Sequence, residues 1–119
     1  NKREGLSNAL LAALRISHLF DAVAGRDTFP VSKPHPDHLL GAIRMAGGDT
    51  ANAVMVGDSE NDVLAARGAG VPVIGCSFGY SETPVAELKP DAVIGHYAEF
   101  LTALDRVRTR GRPGVRPAV

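Results

Sequence analysis

Two carboxylates and one ammonium group are the residues of this chain best suited to chemistry. Asp58 and Asp62 lie in the stretch Ala53-Val-Met-Val-Gly-Asp-Ser-Glu-Asn-Asp62. Apolar Ala53 to Val56 predict a short buried strand, and Gly57 lets the chain turn tightly after it. Asp58 then falls at the carboxyl end of that strand, where open α/β sheets form their ligand crevice. Asp62 follows in the first turn of the next expected helix. Two like charges facing one crevice are costly unless a cation sits between them. Mg²⁺ would use one or two such carboxylates and take its other oxygens from phosphate and water. The same pattern also suits a plain helix start, with Asp58 as N-cap and an acidic first turn.

Lys33 sits in Ser32-Lys-Pro-His-Pro36, ahead of an expected helix. A lysine on such a loop can reach the crevice and act as a point charge on a phosphate or a carboxylate. Pro34 and Pro36 stiffen the loop that presents it. A solvated loop lysine is the alternative.

The elements that must position these groups can be read from periodicity. Leu6, Ala9, Leu10, Ala13 and Leu14 recur at helical spacing, so 4–14 reads as an amphipathic helix. Ala22-Val23-Ala24 is a short strand candidate. Pro36 opens a helix whose apolar face is Leu39, Leu40, Ile43 and Ala46, and Gly47-Gly48 ends it. A helix over 60–69 follows the Ala53–Val56 strand. Val71 to Cys76 is a further strand, with Pro72 acceptable at its start. Pro84 opens a short helix ending near Leu88. Asp91 to Ile94 is a last strand, and Phe100, Leu101, Leu104 and Val107 mark a final helix. Strands alternating with helices predict a mostly parallel sheet with helices on both faces.

Composition narrows the function classes. The chain has 119 residues, 45% of them hydrophobic, which suits one packed domain. Lys+Arg and Asp+Glu both total 13, and this balance argues against wholesale nucleic-acid binding. The single cysteine, Cys76, excludes an internal disulfide and fits a reducing, cytoplasmic setting. It ends an apolar run and reads as a buried, inert thiol. No apolar run is long enough for a membrane span, and no signal peptide is visible. Residues 106–119 interleave Arg106, Arg108, Arg110, Arg112 and Arg116 with Gly and Pro; they read as a disordered basic tail after a core unit over 1–105.

Other candidates carry less. His35 and His38 have a spacing a metal site could use, but no companion ligand follows, so both read as surface histidines at a helix end. His96 could cap the last helix. Ser77, Ser81 and Thr83 lack a paired His and Asp, and no Walker-type loop is present. Phe78-Gly-Tyr80 lies after the Val71–Cys76 strand, at the crevice edge, where it could shape a pocket or close the loop onto the core.

Taken in order, Lys33-Pro34-x-Pro36-Asp37, Val56-Gly-Asp-Ser-Glu-Asn-Asp62, Ala65-Ala66-x-x-Ala69-Gly-Val71 and Phe78-Gly-Tyr80 resemble the haloacid dehalogenase superfamily of phosphohydrolases, in its phosphoglycolate phosphatase branch. The resemblance runs from Asn1 to about Leu104. It implies a Rossmann-like parallel sheet and Mg²⁺-dependent hydrolysis of a small phosphorylated metabolite through an aspartyl-phosphate. It implies that Lys33 offsets phosphoryl charge and that Asp58 ligates the metal. Asp62 then supports the metal site or the lysine, and Asn1, from its place in the pattern, contacts phosphate. The family's nucleophile lies in an Asp-x-Asp motif, and no Asp-x-Asp occurs here. The resemblance therefore matches the C-terminal half of such an enzyme, without the first core strands and the substrate-selecting cap. That reading expects an inactive isolated chain with open strand edges, unstable, rearranged or oligomeric, or completed by an N-terminal half. A second reading is a non-catalytic α/β module that binds metal and phosphate. A receiver-type domain would need its acidic pair and lysine in a different order.

Overall fold

The computed structural model describes residues 2–79 and 81–109. Four α-helices, α1 (Glu4–Ala13), α2 (Pro36–Met45), α3 (Glu60–Ala69) and α4 (Phe100–Thr109), accompany three strands, β1 (Met55–Gly57), β2 (Val73–Cys76) and β3 (Ala92–Ile94). The strands form one parallel sheet in the order β1-β2-β3. Val56 pairs with Ile74, and Gly75 with Val93. The parallel α/β architecture expected from the sequence is therefore present.

Alternation along β2 decides where the core sits. Ile74 and Cys76 face α4 and pack with Ile94, Ala103 and Val107. Val73 faces the other way and packs with Val63 and Ala66 of α3 and with Val85. Leu39 of α2 closes that second cluster from outside. Burying each large aliphatic side chain contributes about 1.5–3 kcal/mol, so β2 is the spine of both layers.

Local chemistry sets the boundaries. Pro36 opens α2, and the exposed His35 ring caps it, Nδ1 accepting from the Asp37 amide at 3.1 Å. Gly70 ends α3 in the left-handed conformation, at φ 70°. Pro72 offers no amide, so β2 begins one residue later, but its carbonyl still accepts from Met55 N at 2.8 Å. The short helix expected near 84–88 is a 3-10 turn over Val85–Leu88. His96 Nδ1 accepts from Ala98 N at 2.9 Å and starts the turn that leads into α4. That helix runs to Thr109 and buries Val107, so it takes in the first residues assigned to the basic tail; residues 110–119 lie outside the described residues.

Two expectations need correction. Ala22–Ala24 is not a strand. The backbone just beyond it is engaged elsewhere: Gly25 N donates to Thr28 Oγ1 at 2.8 Å, and Arg26 N donates to the Lys2 carbonyl at 2.8 Å. This loop lies against the start of α1, where Asp27 Oδ1 accepts from Glu4 N at 2.7 Å. His38 is not a surface histidine. It is buried, its Nε2 lies 2.9 Å from the Gly25 carbonyl, and its ring meets Phe29 edge-on. It ties α2 to the same loop.

Part of the apolar surface is open. α1 has no buried residue, and its Leu6 and Leu10 and the C-cap Leu14 are all exposed. β1 is an edge strand among the described residues, with Val56 exposed at its centre.

Candidate functional site

The acidic stretch and the lysine loop meet at the carboxyl end of β1. Lys33 Nζ lies 2.7 Å from Asp62 Oδ1. Asp62 Oδ2 accepts from the Asp58 amide at 3.1 Å, the Ser59 amide at 3.3 Å and the Ser59 hydroxyl at 3.1 Å. One carboxylate thus holds the ammonium group with one oxygen and the β1–α3 turn with the other. Both partners are largely shielded, with 7% of the Asp62 side chain and 23% of the Lys33 side chain exposed.

The turn folds this way because Ser59 is the N-cap of α3 and Asp62 sits three residues into it, forming a reciprocal capping box. Asp58 is therefore not the helix cap. Gly57 is required at the strand end, because a Cβ there would meet the Asp62 carboxylate, 2.5 Å from its Cγ. The half-buried Asp58 and its side chain face the turn that follows β2, against Gly79.

Electrostatics follow from these contacts. Burial pushes the Asp62 carboxyl up, but the Lys33 hydrogen bond and charge, the Asp58 amide and the Ser59 hydroxyl together hold it below the ordinary carboxylate value. Burial raises the Cys76 thiol, and the charges of Asp58 and Asp62 raise it further. Cys76 is buried, as its apolar run suggested, and the charges of both carboxylates reach it at the end of β2.

Among the described residues no group of three or more His, Cys, Asp or Glu is arranged to hold a metal ion. The donor set suits a cation that needs few protein ligands. Asp58 offers hard carboxylate oxygens at a strand tip, beside the Asp62 carboxylate that holds Lys33. Mg²⁺ has that preference, completing its shell with water and phosphate oxygens. Asn1 lies outside the described residues.

Sequence reasoning brought Lys33, Asp58 and Asp62 to one sheet edge, and the fold brings them together. It missed Ser59, although Ser-x-x-Asp is a capping-box pattern. It also missed Tyr97, whose ring meets Phe78 edge-on with centroids 4.8 Å apart. Nothing in the local sequence links those two residues.

The fold and this strand-tip arrangement define the class: the chain belongs to the haloacid dehalogenase-like hydrolases, whose family pattern matches residues 1–76. It is 49% identical over 104 residues to the phosphoglycolate phosphatase of Agrobacterium fabrum, covering 87% of this chain and 45% of that protein. It is 50% identical over 97 residues to the phosphoglycolate phosphatase of Mesorhizobium japonicum, covering 82% and 43%. The crystal structure of a predicted phosphoglycolate phosphatase from Haemophilus somnus superimposes with a TM-score of 0.74 at 35% identity, over 81% of this chain and 43% of that one. The chain thus spans less than half the length of the relatives it matches. No helix among the described residues is long and apolar enough to cross a membrane.

Proposed function

We propose that this chain is the part of a Mg²⁺-dependent phosphomonoester hydrolase that supplies its charge-stabilising lysine and its acidic strand tip. The substrate class is a short phosphorylated metabolite of the phosphoglycolate type, handled in the cytoplasm. The observation that carries this reading is the Lys33–Asp62 ion pair beside Asp58, at the carboxyl end of a parallel strand.

In this reading Lys33 Nζ keeps two of its three protons for phosphoryl oxygens while Asp62 takes the third. Asp62 keeps the ammonium charged and aimed, and through the Asp58 amide it fixes the turn that carries Asp58. Asp58 contributes the metal-ligating carboxylate. Mg²⁺, when bound there, neutralises charge building up on the transferring oxygens. The attacking carboxylate of the family sits in an Asp-x-Asp motif that these residues do not include, so this chain binds and stabilises rather than attacks.

A chimaera tests the proposal. This chain replaces the matching segment of the Agrobacterium fabrum relative, and phosphate release from 2-phosphoglycolate is followed with and without Mg²⁺. The expected result is Mg²⁺-dependent turnover that falls by about a hundredfold or more in Lys33→Met and in Asp58→Asn. A folded chimaera that releases no phosphate, or one indifferent to both substitutions, overturns the reading.

A further inference from the structure

The turn that follows β2 touches Asp58 at a residue with no side chain. A Cβ built on Gly79 would overlap the Cβ and Oδ2 of Asp58 and would lie 2.5 Å from its Cγ; the three nearest atoms it meets all belong to Asp58. Gly79 is not among the glycines with positive φ, so a left-handed backbone is not what reserves this position for glycine. What a side chain there would meet is the side chain of Asp58.

The turn also has a contact on its far side. Phe78, immediately before Gly79, packs its ring edge-on against Tyr97, which follows β3. On its other side, Asp58 is fixed through its amide to Asp62. Its side chain is thereby confined between the first turn of α3 and a wall of backbone after β2.

We infer that Gly79 is a positioning residue for Asp58: the missing side chain at 79 lets the backbone of the post-β2 turn close on Asp58 and fix the direction in which its carboxylate points. The functional consequence rests on the metal-ligating role proposed for Asp58. The geometric consequence does not.

Two readouts on the 119-residue chain keep those apart. The χ1 rotamer of Asp58 is read from three-bond NMR couplings in the wild type and in Gly79→Ala. The affinity for Mn²⁺, used as the probe, is read by water-proton relaxation in the wild type, Gly79→Ala, Asp58→Asn and the double variant. The expected result is a changed Asp58 rotamer in Gly79→Ala together with Mn²⁺ affinity lower by about tenfold or more. Asp58→Asn weakens Mn²⁺ by itself, and Gly79→Ala adds no further loss in that background. An unchanged rotamer in Gly79→Ala overturns the inference whatever the metal does. A changed rotamer with Mn²⁺ binding indifferent to Asp58→Asn upholds Gly79 as a positioning residue and removes the metal role of Asp58 instead. Should Gly79→Ala fail to fold, adding Asp58→Gly removes the side chain that the methyl meets. Recovery of the fold supports the inference, and continued failure overturns it.

Discussion

Asp62 joins two distant parts of the chain: its Oδ1 lies 2.7 Å from Lys33 Nζ, and its Oδ2 accepts from the Asp58 amide at 3.1 Å. The ammonium group on the loop before α2 and the carboxylate at the tip of β1 are thereby set relative to each other by a single side chain. The same side chain closes the capping box of α3. One carboxylate thus serves both the helix start and the Lys33 ion pair.

Asp62→Asn separates the two. The amide keeps an oxygen for the Ser59 and Asp58 amides but loses the charge that holds Lys33. Removing one partner of a fully buried ion pair costs about 3–5 kcal/mol, whereas Lys33 here still reaches water. The expected loss is therefore nearer that of a charged hydrogen bond, about 1.5–3 kcal/mol, measured by urea unfolding. A loss below about 0.5 kcal/mol, the size of an ordinary surface change, would show that the pair holds nothing together.

The same pair fixes a pH dependence. The folded Asp62 carboxyl is held below its ordinary value by Lys33, the Asp58 amide and Ser59, against the upward push of burial. A depressed folded pKa means that the unfolded chain takes up a proton first as pH falls. The stabilisation is then complete above the ordinary carboxylate value of about 3.9 and drains away as pH drops through the lower folded value. The difference in unfolding free energy between wild type and Asp62→Asn should stay constant from neutral pH to about pH 5 and shrink below about pH 4. Exposed Asp27, also held low, by the Glu4 amide, is common to both proteins and cancels. A difference that widens on acidification would contradict the sign.

How far the sequence carried this picture depends on the range of each interaction. The helix over 60–69 was legible from its local pattern, although that reading puts its cap on Asp58 and leaves the Ser59–Asp62 capping box unread. Lys33 and Asp58 were legible as neighbours only through the ordered motif series, since nothing within a few residues of either points to the other. Ala22–Ala24 has strand composition and is not a strand, because a strand needs a ladder partner and the adjoining loop bonds to α1 instead. His38 looked like a surface residue because its acceptor, the Gly25 carbonyl, lies thirteen residues away. The Phe78–Tyr97 pair and the fit of Gly79 against Asp58 depend on loops from different strands and leave no local trace.

Cys76 should behave as a burial probe. Its thiol is shielded between β2 and α4, and burial together with the nearby Asp58 and Asp62 charges keeps it protonated. Only the thiolate alkylates, and it must first be uncovered. Iodoacetamide at mild alkaline pH should react with the folded chain at least about tenfold more slowly than with the urea-unfolded chain. Equal rates would mean that the end of β2 is open to solvent.

The two ends of the burial scale give the sharpest contrast. Ile74 is fully buried at the centre of β2, inside the cluster that joins the sheet to α4. Truncating it removes transfer energy and leaves a cavity, so Ile74→Ala should cost about 2–5 kcal/mol. Leu10, on the apolar stripe of α1, is 47% exposed, and no residue of that helix is buried. Leu10→Ala should therefore change the stability of the chain by no more than about 0.5 kcal/mol, although both substitutions remove a large aliphatic side chain. Both values come from urea unfolding at low protein concentration, with sedimentation run alongside. Should Leu10→Ala prove as damaging as Ile74→Ala, the stripe on α1 must be covered in solution. Sedimentation then distinguishes a second copy of the chain on that face from a rearranged monomer.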